Sequence, residues 1–332
     1  MKVLVMDFGG TYTKYCLMDE HAEITEKGEV PSPVIGVDTY VNTVRKLYEK
    51  FKDRIDGISI STPGMLNAET GYLYSAGSFI DMAGQNVFEL LKPYISIPIA
   101  LENDGKSGAL AEVWKGSLKD VNDGAVVIIG TGIAGGIIKD RRIHRGHNHS
   151  AGELSYLLLK PGEYSINNLI CMSAAMMGLI PKVATAKGYD LSVVETGLLK
   201  RDDVRELVED TDADTKKQAD IVIDGYQIFK WLEEGDPVVE KIYDEFIKTL
   251  TLLVFNLQVT YDPEKISIGG GVSAQPRLIK DLRAELEKIE KGITLVPLPK
   301  VNVDVCHFRG DANLTGAMYN FLVRYAPDKI GG

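Results

Sequence analysis

The chain has 332 residues, of which 45% are hydrophobic and 25% are charged, an ordinary composition for a globular protein. This length predicts about two domains. The formal net charge is −10, and no cluster of Lys and Arg stands out, which argues against nucleic acid as a partner. An acidic chain can still bind phosphate groups through its backbone N–H groups.

The cysteines and the apolar segments predict a cytoplasmic protein without a membrane partner. Cys16, Cys171 and Cys306 lie far apart, and no C-x-x-C pair occurs, so a disulfide framework and a Cys-based zinc site are not expected. The stretch from Met1 to Asp7 is too short and too soon charged for a signal peptide. No apolar run approaches the roughly 18 residues that span a membrane.

The apolar pattern predicts strands that alternate with helices, which favours a layered α/β protein. In the first part of the chain, the predicted strands are 2–7, 12–18, 55–61, 71–76 and 97–101, and the predicted helices are 38–51, one from 87 and 105–114. In the remainder, the predicted strands are 124–129, 137–138, 265–268 and one within 293–305, and the predicted helices are 173–185, 202–209, 236–258 and 315–325.

A glycine turn follows the first strand. Gly9, Gly10 and Thr11 stand at the tip of a predicted hairpin, where backbone N–H groups and one hydroxyl can wrap a phosphate without a side-chain clash. An ordinary glycine hairpin is the alternative. Asp7, at the end of the buried strand, favours the phosphate site because a carboxylate there can hold Mg²⁺ through water.

A second turn repeats this pattern at Gly130, Thr131 and Gly132, again between two apolar strands. The repeat predicts two related domains, each contributing one phosphate hairpin to a central cleft, with a boundary near residues 116–124. Residues 130–135 also match G-x-G-x-x-G. A Rossmann site needs a helix that opens inside the glycines, whereas a hairpin is predicted here, so a nicotinamide oxidoreductase is the weaker alternative.

Asp104 lies where the strand 97–101 gives way to the helix 105–114. Asp is a favoured N-cap residue, so a helix cap is one interpretation. A carboxylate between two phosphate turns in the sequence instead suggests a phosphoryl transferase whose base is Asp104. The glycines Gly269, Gly270 and Gly271 lie between a strand and a helix. They would let a ribose or a flat ring approach the backbone closely, or they form only a tight strand-to-helix turn.

Two further features lie between residues 143 and 156. His144, His147 and His149 are close in sequence, and clustered histidines can bind a metal. No Cys or carboxylate joins them in the same register, so a polar loop is the favoured interpretation. Glu153 follows this loop and could accept two sugar hydroxyls, or it could be a solvated surface carboxylate.

Taken in order, these segments resemble the ROK family (repressor, open reading frame, kinase) of sugar kinases, which belongs to the actin and hexokinase-like ATPase superfamily. The resemblance runs from Asp7 to about Met318. The segments that carry it are residues 7–11, 61–64, 102–104, 130–136, 152–153, 268–271 and 311–317. It implies a two-domain α/β protein with an actin/hexokinase-like (ribonuclease H-like) fold, an interdomain cleft and, by family habit, a homodimer.

The resemblance also implies roles and a domain division. Asp104 matches the catalytic base, and ATP with Mg²⁺ is the implied phosphoryl donor. Residues 1–118 with 310–332 would form the N-terminal domain, and residues 119–309 the larger C-terminal domain with the adenosine site. The implied substrate-binding residues are Gly64, Gly77, Asn103, Asp104, Glu153, Tyr156 and Asn167. The implied ATP-binding residues are Asp7, Gly9, Gly10, Thr11, Lys14, Thr131, Gly132, Gly269 and Gly270.

This sequence departs from the family pattern in one region. Many ROK members follow the Gly-Glu pair with Gly-His, and that His binds zinc together with a cysteine-rich segment. Ser155 and Tyr156 stand here instead, and the downstream segment keeps only Cys171, so no structural zinc is expected. Asn167 aligns, within a residue, with the family's second sugar-binding Glu, which predicts an altered sugar pocket.

The predicted activity is therefore transfer of the γ-phosphoryl group of ATP to a hydroxyl group, O6 by expectation, of a hexose, an N-acylhexosamine or a β-glucoside. N-acetylmannosamine, a β-glucoside such as cellobiose, and glucose are the candidate substrates, and the altered pocket makes glucose the least favoured. A non-catalytic sugar-binding regulator of the ROK type is the alternative. ROK repressors carry a winged helix-turn-helix before the first strand, and this sequence starts on that strand.

Overall fold

The structure is a computed structural model that describes residues 1–189, 191 and 223–330. The strands are β1 (Lys2–Phe8), β2 (Tyr12–Asp19), β3 (Ile24–Pro31), β4 (Gly57–Thr62), β5 (Leu66–Asn67), β6 (Tyr72–Leu73), β7 (Ile99–Asn103), β8 (Gly124–Ile129), β9 (Ile133–Lys139), β10 (Arg142–Ile143), β11 (Lys265–Gly269) and β12 (Val303–Val305). The α-helices are α1 (Val37–Phe51), α2 (Val87–Leu91), α3 (Asp104–Lys115), α4 (Cys171–Ala174), α5 (Met176–Ala186), α6 (Gly225–Glu233), α7 (Pro237–Tyr261), α8 (Pro276–Gly292) and α9 (Ala312–Tyr325).

The first five-stranded sheet has the order β3-β2-β1-β4-β7. Strand β1 is antiparallel to β2 and parallel to β4, and β4 is parallel to β7. In this register Asp7 lies opposite Ser61, and Ser61 lies opposite Glu102. The carboxyl ends of β1, β4 and β7 therefore meet at one edge, where α/β sheets usually bind ligands.

Apolar side chains cover both faces of this sheet. On one face, Tyr40, Val44 and Leu47 of α1 belong to a buried cluster that also contains residues of β1 and β4. On the other face, α9 packs close to α3, because a Cβ atom at Gly316 would lie 1.6 Å from the Ser107 carbonyl oxygen. Only glycine permits this approach, which fixes α9 beside the helix that begins at the sheet edge.

The chain separates into two compact units. Unit 1 comprises Met1–Val126, Gly135–Glu153 and Cys306–Gly332, and unit 2 comprises Val127–Ala134 and Leu154–Val305. A second five-stranded sheet has the order β10-β9-β8-β11-β12. The division between the units falls within β8, after Val126, and within β9, after Ala134. The division at residues 118 and 310 stays a prediction.

Several elements differ from the sequence-based expectation. Strand β3 was not predicted, because its residues are largely charged or exposed and show no run of buried apolar side chains. The predicted strand 71–76 is reduced to the two residues of β6, and β9 begins at Ile133 rather than at 137. The predicted helix 173–185 is broken at Ala175, whose backbone is extended. The predicted helix 202–209 lies outside the described residues.

Among the helices in the described ranges, none combines the length and the apolar character needed to cross a membrane.

Candidate active site

Asp104 is the first residue of α3, and the helix cap is its neighbour Asn103. The Asn103 Oδ1 accepts the backbone N–H of Lys106 at 3.0 Å, and its Nδ2 donates to Asp104 Oδ1 at 2.9 Å and to the Gly64 carbonyl oxygen at 2.9 Å. Asp104 Oδ1 also accepts the N–H of Gly105 at 2.8 Å. In the described part of the chain no hydrogen bond reaches Oδ2, so this oxygen is left for a ligand.

The electrostatic surroundings of Asp104 suit a base that works near neutral pH. Burial raises its pKa to about 6, and the negative charges of Asp7 and Glu153 act in the same direction. The hydrogen bonds from Gly105 and Asn103 oppose this rise. A carboxylate in this range is ionised at neutral pH and is a stronger base than an ordinary aspartate.

Asp7 is the second-last residue of β1, just before the first glycine turn. Its Oδ1 accepts Ser61 Oγ at 2.8 Å and Asn313 Nδ2 at 3.1 Å, and Lys14 lies opposite it on β2. Burial raises the pKa of Asp7, and these two hydrogen bonds and the charge of Lys14 oppose the rise. Oδ2 accepts no hydrogen bond from the residues that the structure describes.

The turn after Asp7 is a hairpin, closed by a hydrogen bond from Gly9 N–H to the Tyr12 carbonyl oxygen at 3.2 Å. Ser32, just beyond β3, donates from its backbone N–H to the Thr11 carbonyl at 3.0 Å and from its Oγ to the Gly9 carbonyl at 2.5 Å. Gly10 and Thr11 are exposed. Because Ser32 engages two carbonyl groups of the turn in hydrogen bonds, the tip presents its N–H groups and the Thr11 hydroxyl to solvent.

Gly64 and Gly77 shape the chain next to Asn103. Gly64 has φ +100, and a Cβ atom there would lie 2.2 Å from the Ser75 carbonyl oxygen. Gly77 has φ +53, and its Cβ atom would lie 3.0 Å from the Pro63 side chain. Both positions therefore favour glycine, and the Gly64 carbonyl is the acceptor that fixes the Asn103 amide.

Glu153 closes the loop that follows β10. Its Oε1 accepts Lys106 Nζ at 2.9 Å, and the same ammonium donates to the His149 carbonyl oxygen at 3.2 Å. Nearby, the buried carboxylate of Glu102 accepts Arg145 Nη2 at 2.5 Å. The negative charge of Glu153 contributes to the raised pKa of Asp104, so these two carboxylates of unit 1 interact electrostatically.

In unit 2, the second glycine turn rests on the first turn of α5. The N–H groups of Met176 and Met177 donate to the carbonyls of Gly130 and Thr131 at 3.1 and 3.0 Å. The N–H of Gly130 donates to the Gly132 carbonyl at 2.9 Å. No hydrogen bond involves the N–H groups of Thr131 and Gly132 within the described ranges, which leaves two adjacent donors for an anion.

The third glycine turn packs directly on the second. Gly270 has φ +90, and a Cβ atom there would lie 2.0 Å from the Ile129 carbonyl oxygen. Beside this contact is a cavity of about 290 Å³, whose lining includes Thr131, Gly271 and the apolar side chains of Met176, Phe229 and Val272. Gly269 ends β11 just before it. Apolar walls with a few polar groups at one end are typical of a cofactor or nucleotide pocket.

Tyr156 and Asn167 are both on the surface of unit 2, where Tyr156 is 64% exposed. The neighbour of Asn167, Asn168, is buried, and its amide bonds the backbone of Lys160 and Glu163. Asn168 is therefore a structural residue. The exposed Asn167 side chain makes no such hydrogen bonds to the backbone of the described residues. Whether Tyr156 and Asn167 contact a sugar stays a prediction.

The three histidines do not form a cluster of ligands. His144 and His147 are exposed, and the His149 ring stacks on Tyr74 with ring centroids 6.2 Å apart. Across residues 1–189, 191 and 223–330, no group of three or more His, Cys, Asp or Glu side chains is placed to hold a metal ion. The expectation that the protein lacks structural zinc stays a prediction.

Comparisons with known proteins identify the family. The model of the ROK family matches residues 3–323. The chain belongs to the ROK family. A β-glucoside kinase of Listeria innocua is 28% identical over 97% of this chain and 98% of its own length. The prediction of the family from the sequence is thereby confirmed.

Two solved structures show that this ROK protein has the predicted actin/hexokinase-like fold. A ROK family protein from Streptococcus pneumoniae, in complex with sucrose, has a TM-score of 0.79 at 24% identity and covers 98% of this chain and 99% of its own. A ROK family glucokinase from Streptomyces griseus, in complex with glucose and AMPPNP, has a TM-score of 0.71 at 21% identity, with 96% and 98% coverage.

Three structural features of this ROK protein escaped the sequence reasoning. Lys106 and Arg145 pair with Glu153 and Glu102, and only long-range contacts show that these charges meet. Ser155, noted in the sequence only as a replacement for glycine, accepts the Ile133 N–H and donates to the Ile133 carbonyl. It therefore anchors the strand that leaves the second glycine turn.

Proposed function

We propose that this protein is an ATP-dependent sugar kinase in which Asp104 accepts the proton of the sugar hydroxyl that is phosphorylated. The observation that carries the proposal is the state of Asp104, whose Oδ1 is held by two donors while Oδ2 is unengaged and whose pKa is raised to about 6. The enzyme class predicted from the sequence, a carbohydrate kinase, is confirmed by the named kinase relatives. The non-catalytic regulator is not favoured.

On the sugar side, Asn103, Glu153 and the glycine turns at Gly64 and Gly77 would bind the ring next to Asp104. Glu153 supports this role because its Oε2 accepts no hydrogen bond from the described residues. Tyr156 and Asn167 are proposed as further contacts by family resemblance. The attacking hydroxyl oxygen, O6 in our proposal, bonds to the γ-phosphorus as the bond to the ADP oxygen breaks, and Asp104 Oδ2 takes the hydroxyl proton.

On the nucleotide side, two turns supply donors for phosphate oxygens. Gly9, Gly10 and Thr11, with Lys14 nearby, form one, and Thr131 and Gly132 form the other. The free N–H groups of Thr131 and Gly132 support this assignment. The adenosine moiety would occupy the cavity beside Gly269 and Gly270, because its apolar walls suit a purine.

Asp7 is the residue that would hold Mg²⁺, through a bound water. Its donor set fits, since Oδ1 is fixed by Ser61 and Asn313 and Oδ2 is unengaged. When bound, the ion would offset the negative charge of the transferred phosphoryl group. The hydrogen bonds from Ser61 and Asn313 hold the Asp7 carboxylate at the edge of the sheet, just before the glycine turn.

Two further assignments, the oligomeric state and the cellular compartment, rest on the family and on the composition. We propose that the protein is a homodimer, because ROK members commonly are, and that it works in the cytoplasm, where its three buried cysteines stay reduced. Size-exclusion chromatography with light scattering at micromolar concentration measures the first. A monomeric mass across a hundredfold range of concentration would refute the dimer.

The decisive experiment measures ADP release with Mg-ATP across a panel of sugars: glucose, N-acetylmannosamine, N-acetylglucosamine, mannose, fructose, cellobiose and an aryl β-glucoside. We expect one strong responder, with a β-glucoside or an N-acylhexosamine ahead of glucose. Nucleotide binding is measured in parallel by thermal shift with AMPPNP and with NAD. A folded protein that binds AMPPNP and phosphorylates no sugar would refute the proposal, and NAD binding without AMPPNP binding would favour an oxidoreductase.

A further inference from the structure

Two residues of opposite charge flank Asp104 and pair with the two ends of one loop. Glu102, two residues before Asp104, accepts Arg145 Nη2 at 2.5 Å. Lys106, two residues after it, donates to Glu153 Oε1 at 2.9 Å. The loop between Arg145 and Glu153 is therefore tied at both ends to the strand–helix junction that carries the base.

The Lys106 side chain is almost fully enclosed, with only 3% of its surface exposed, whereas Glu153 retains 21%. Burying an ammonium group costs several kcal/mol unless it is paired, so a lysine is retained at such a position only with well-placed acceptors. Its acceptors are Glu153 Oε1 and the His149 carbonyl oxygen. Lys106 itself is too enclosed to contact a sugar, and the carboxylate that it holds is the exposed partner.

We propose that Lys106 is a positioning residue of the sugar site, which fixes the Glu153 carboxylate so that its free oxygen accepts sugar hydroxyls. This inference rests on the proposed sugar-kinase function, in which Glu153 binds the sugar. Charge gives Lys106 a second effect on the same site. Its ammonium partly offsets the negative charge of Glu153, and that negative charge raises the pKa of Asp104.

A double-mutant cycle on sugar binding tests whether Lys106 acts through Glu153. Sugar affinity is measured without ATP, by calorimetry with the best binder of the panel, for the wild type, Lys106→Met, Glu153→Gln and the double variant. We expect Lys106→Met to weaken binding about 10- to 100-fold, the range for hydrogen bonds to charged groups. In the Glu153→Gln background the same change should cost less than about threefold, because the carboxylate that it positions is gone.

The pH dependence of turnover gives a readout that a merely structural role would not move. Without the Lys106 charge, the negative charge of Glu153 acts on Asp104 with less compensation, so more protons stay on Asp104 at a given pH. The acidic limb of kcat/KM should therefore move to higher pH in Lys106→Met. In Lys106→Met/Glu153→Gln it should return toward the wild-type position.

Lys329→Met is the matched control, because it also removes a lysine from a half-buried glutamate, here Glu20 at 3.2 Å. It should change neither sugar affinity nor the acidic limb. Equal losses of affinity from Lys106→Met in both backgrounds would overturn the inference, and so would a wild type that binds no sugar. A wild type that binds sugar but releases no ADP would refute the kinase while the binding cycle still decides the role of Lys106.

Discussion

The Asn103 side chain caps helix α3 and at the same time donates a hydrogen bond to Asp104 Oδ1 at 2.9 Å. The cap role that the sequence alone allowed for Asp104 therefore belongs to its neighbour. Asp104 keeps one carboxylate oxygen unengaged, and its burial together with the negative charges of Asp7 and Glu153 raises its pKa to about 6. Such groups concentrate at functional sites.

Replacing Asp104 by asparagine should separate catalysis from binding. Asp104→Asn keeps the size of the side chain and an oxygen that can accept the Gly105 N–H, but it removes the base. We expect kcat to fall by about 10²–10⁴, the range for loss of a general base, while sugar affinity changes by less than about threefold. Steady-state kinetics and calorimetry with the responding sugar measure the two quantities.

Asp120→Asn serves as the control for this variant, because Asp120 is an exposed carboxylate just after α3. It should leave both kcat and sugar affinity unchanged. Turnover within about threefold of wild type in Asp104→Asn would remove Asp104 from the role of base.

The raised pKa of Asp104, about 6, should be visible in the pH profile. A base works only when deprotonated, so kcat/KM should be flat near neutral pH and fall about tenfold for each pH unit below about 6. With an unperturbed aspartate, the fall would begin two pH units lower. A profile measured from pH 4.5 to 8.5 distinguishes the two cases, and residual activity of Asp104→Asn should lack this limb.

Because of this raised pKa, Asp104 destabilises the folded state by an amount that depends on pH. The folded-state pKa of Asp104 lies above the unfolded value near 3.8. Between these two values the folded state binds more protons than the unfolded state. The contribution of Asp104 to stability therefore declines as pH rises from about 4 to about 6. Above pH 6, the free energy of unfolding of Asp104→Asn should therefore exceed that of the wild type by about 1–2 kcal/mol, after allowance for the partial exposure of Asp104. Denaturant unfolding at pH 4.5 and at pH 8 tests this, since a gain that does not depend on pH would contradict it.

The sequence allowed most of the first sheet to be predicted because its strands are continuous apolar runs. Strands β1 and β2 each differ from their predicted ranges by one residue. Strand β3 could not be predicted from its own residues, because its inward positions are only half-buried and carry no apolar alternation. The antiparallel pairing with β2 stabilises this strand, and the composition of β3 does not reveal that pairing.

The positions of the glycine turns, and of Asp104 at a junction of strand and helix, could be predicted because local chemistry determines them. A backbone that must approach another chain segment needs glycine, as Gly270 shows against Ile129. The pairing of Lys106 with Glu153 could not be predicted, because the two residues are 47 positions apart and only the folded chain brings them together. The break at Ala175 has a similar cause, since Met176 and Met177 bond to the second glycine turn.

Removing the Asn103 side chain should loosen Asp104 as well as the helix. Asn103→Ala loses the cap of α3 and the bonds to Asp104 and to the Gly64 carbonyl. We expect a loss of about 1–2 kcal/mol in stability, the range for an N-cap, together with a tenfold or larger fall in kcat. Asn86→Ala removes another Asn cap, that of α2, and should lower stability without a comparable effect on kcat. Equal effects of the two variants on kcat would show that Asn103 only caps.

Two adjacent glycines provide a sharp test of how the third turn is built. A Cβ atom at Gly270 would lie 2.0 Å from the Ile129 carbonyl oxygen, and the residue has φ +90, whereas a Cβ atom at Gly271 would meet no atom within 4 Å. Gly270→Ala should therefore cost about 2–4 kcal/mol, because the clash and the left-handed backbone both oppose it. Gly271→Ala should cost less than about 0.5 kcal/mol, and urea titrations of the two variants measure the difference. Since the Ile129 backbone leads into the turn at Thr131 and Gly132, we also expect Gly270→Ala to weaken AMPPNP binding at temperatures where the variant remains folded. Similar unfolding midpoints for the two variants would contradict the close packing of these turns.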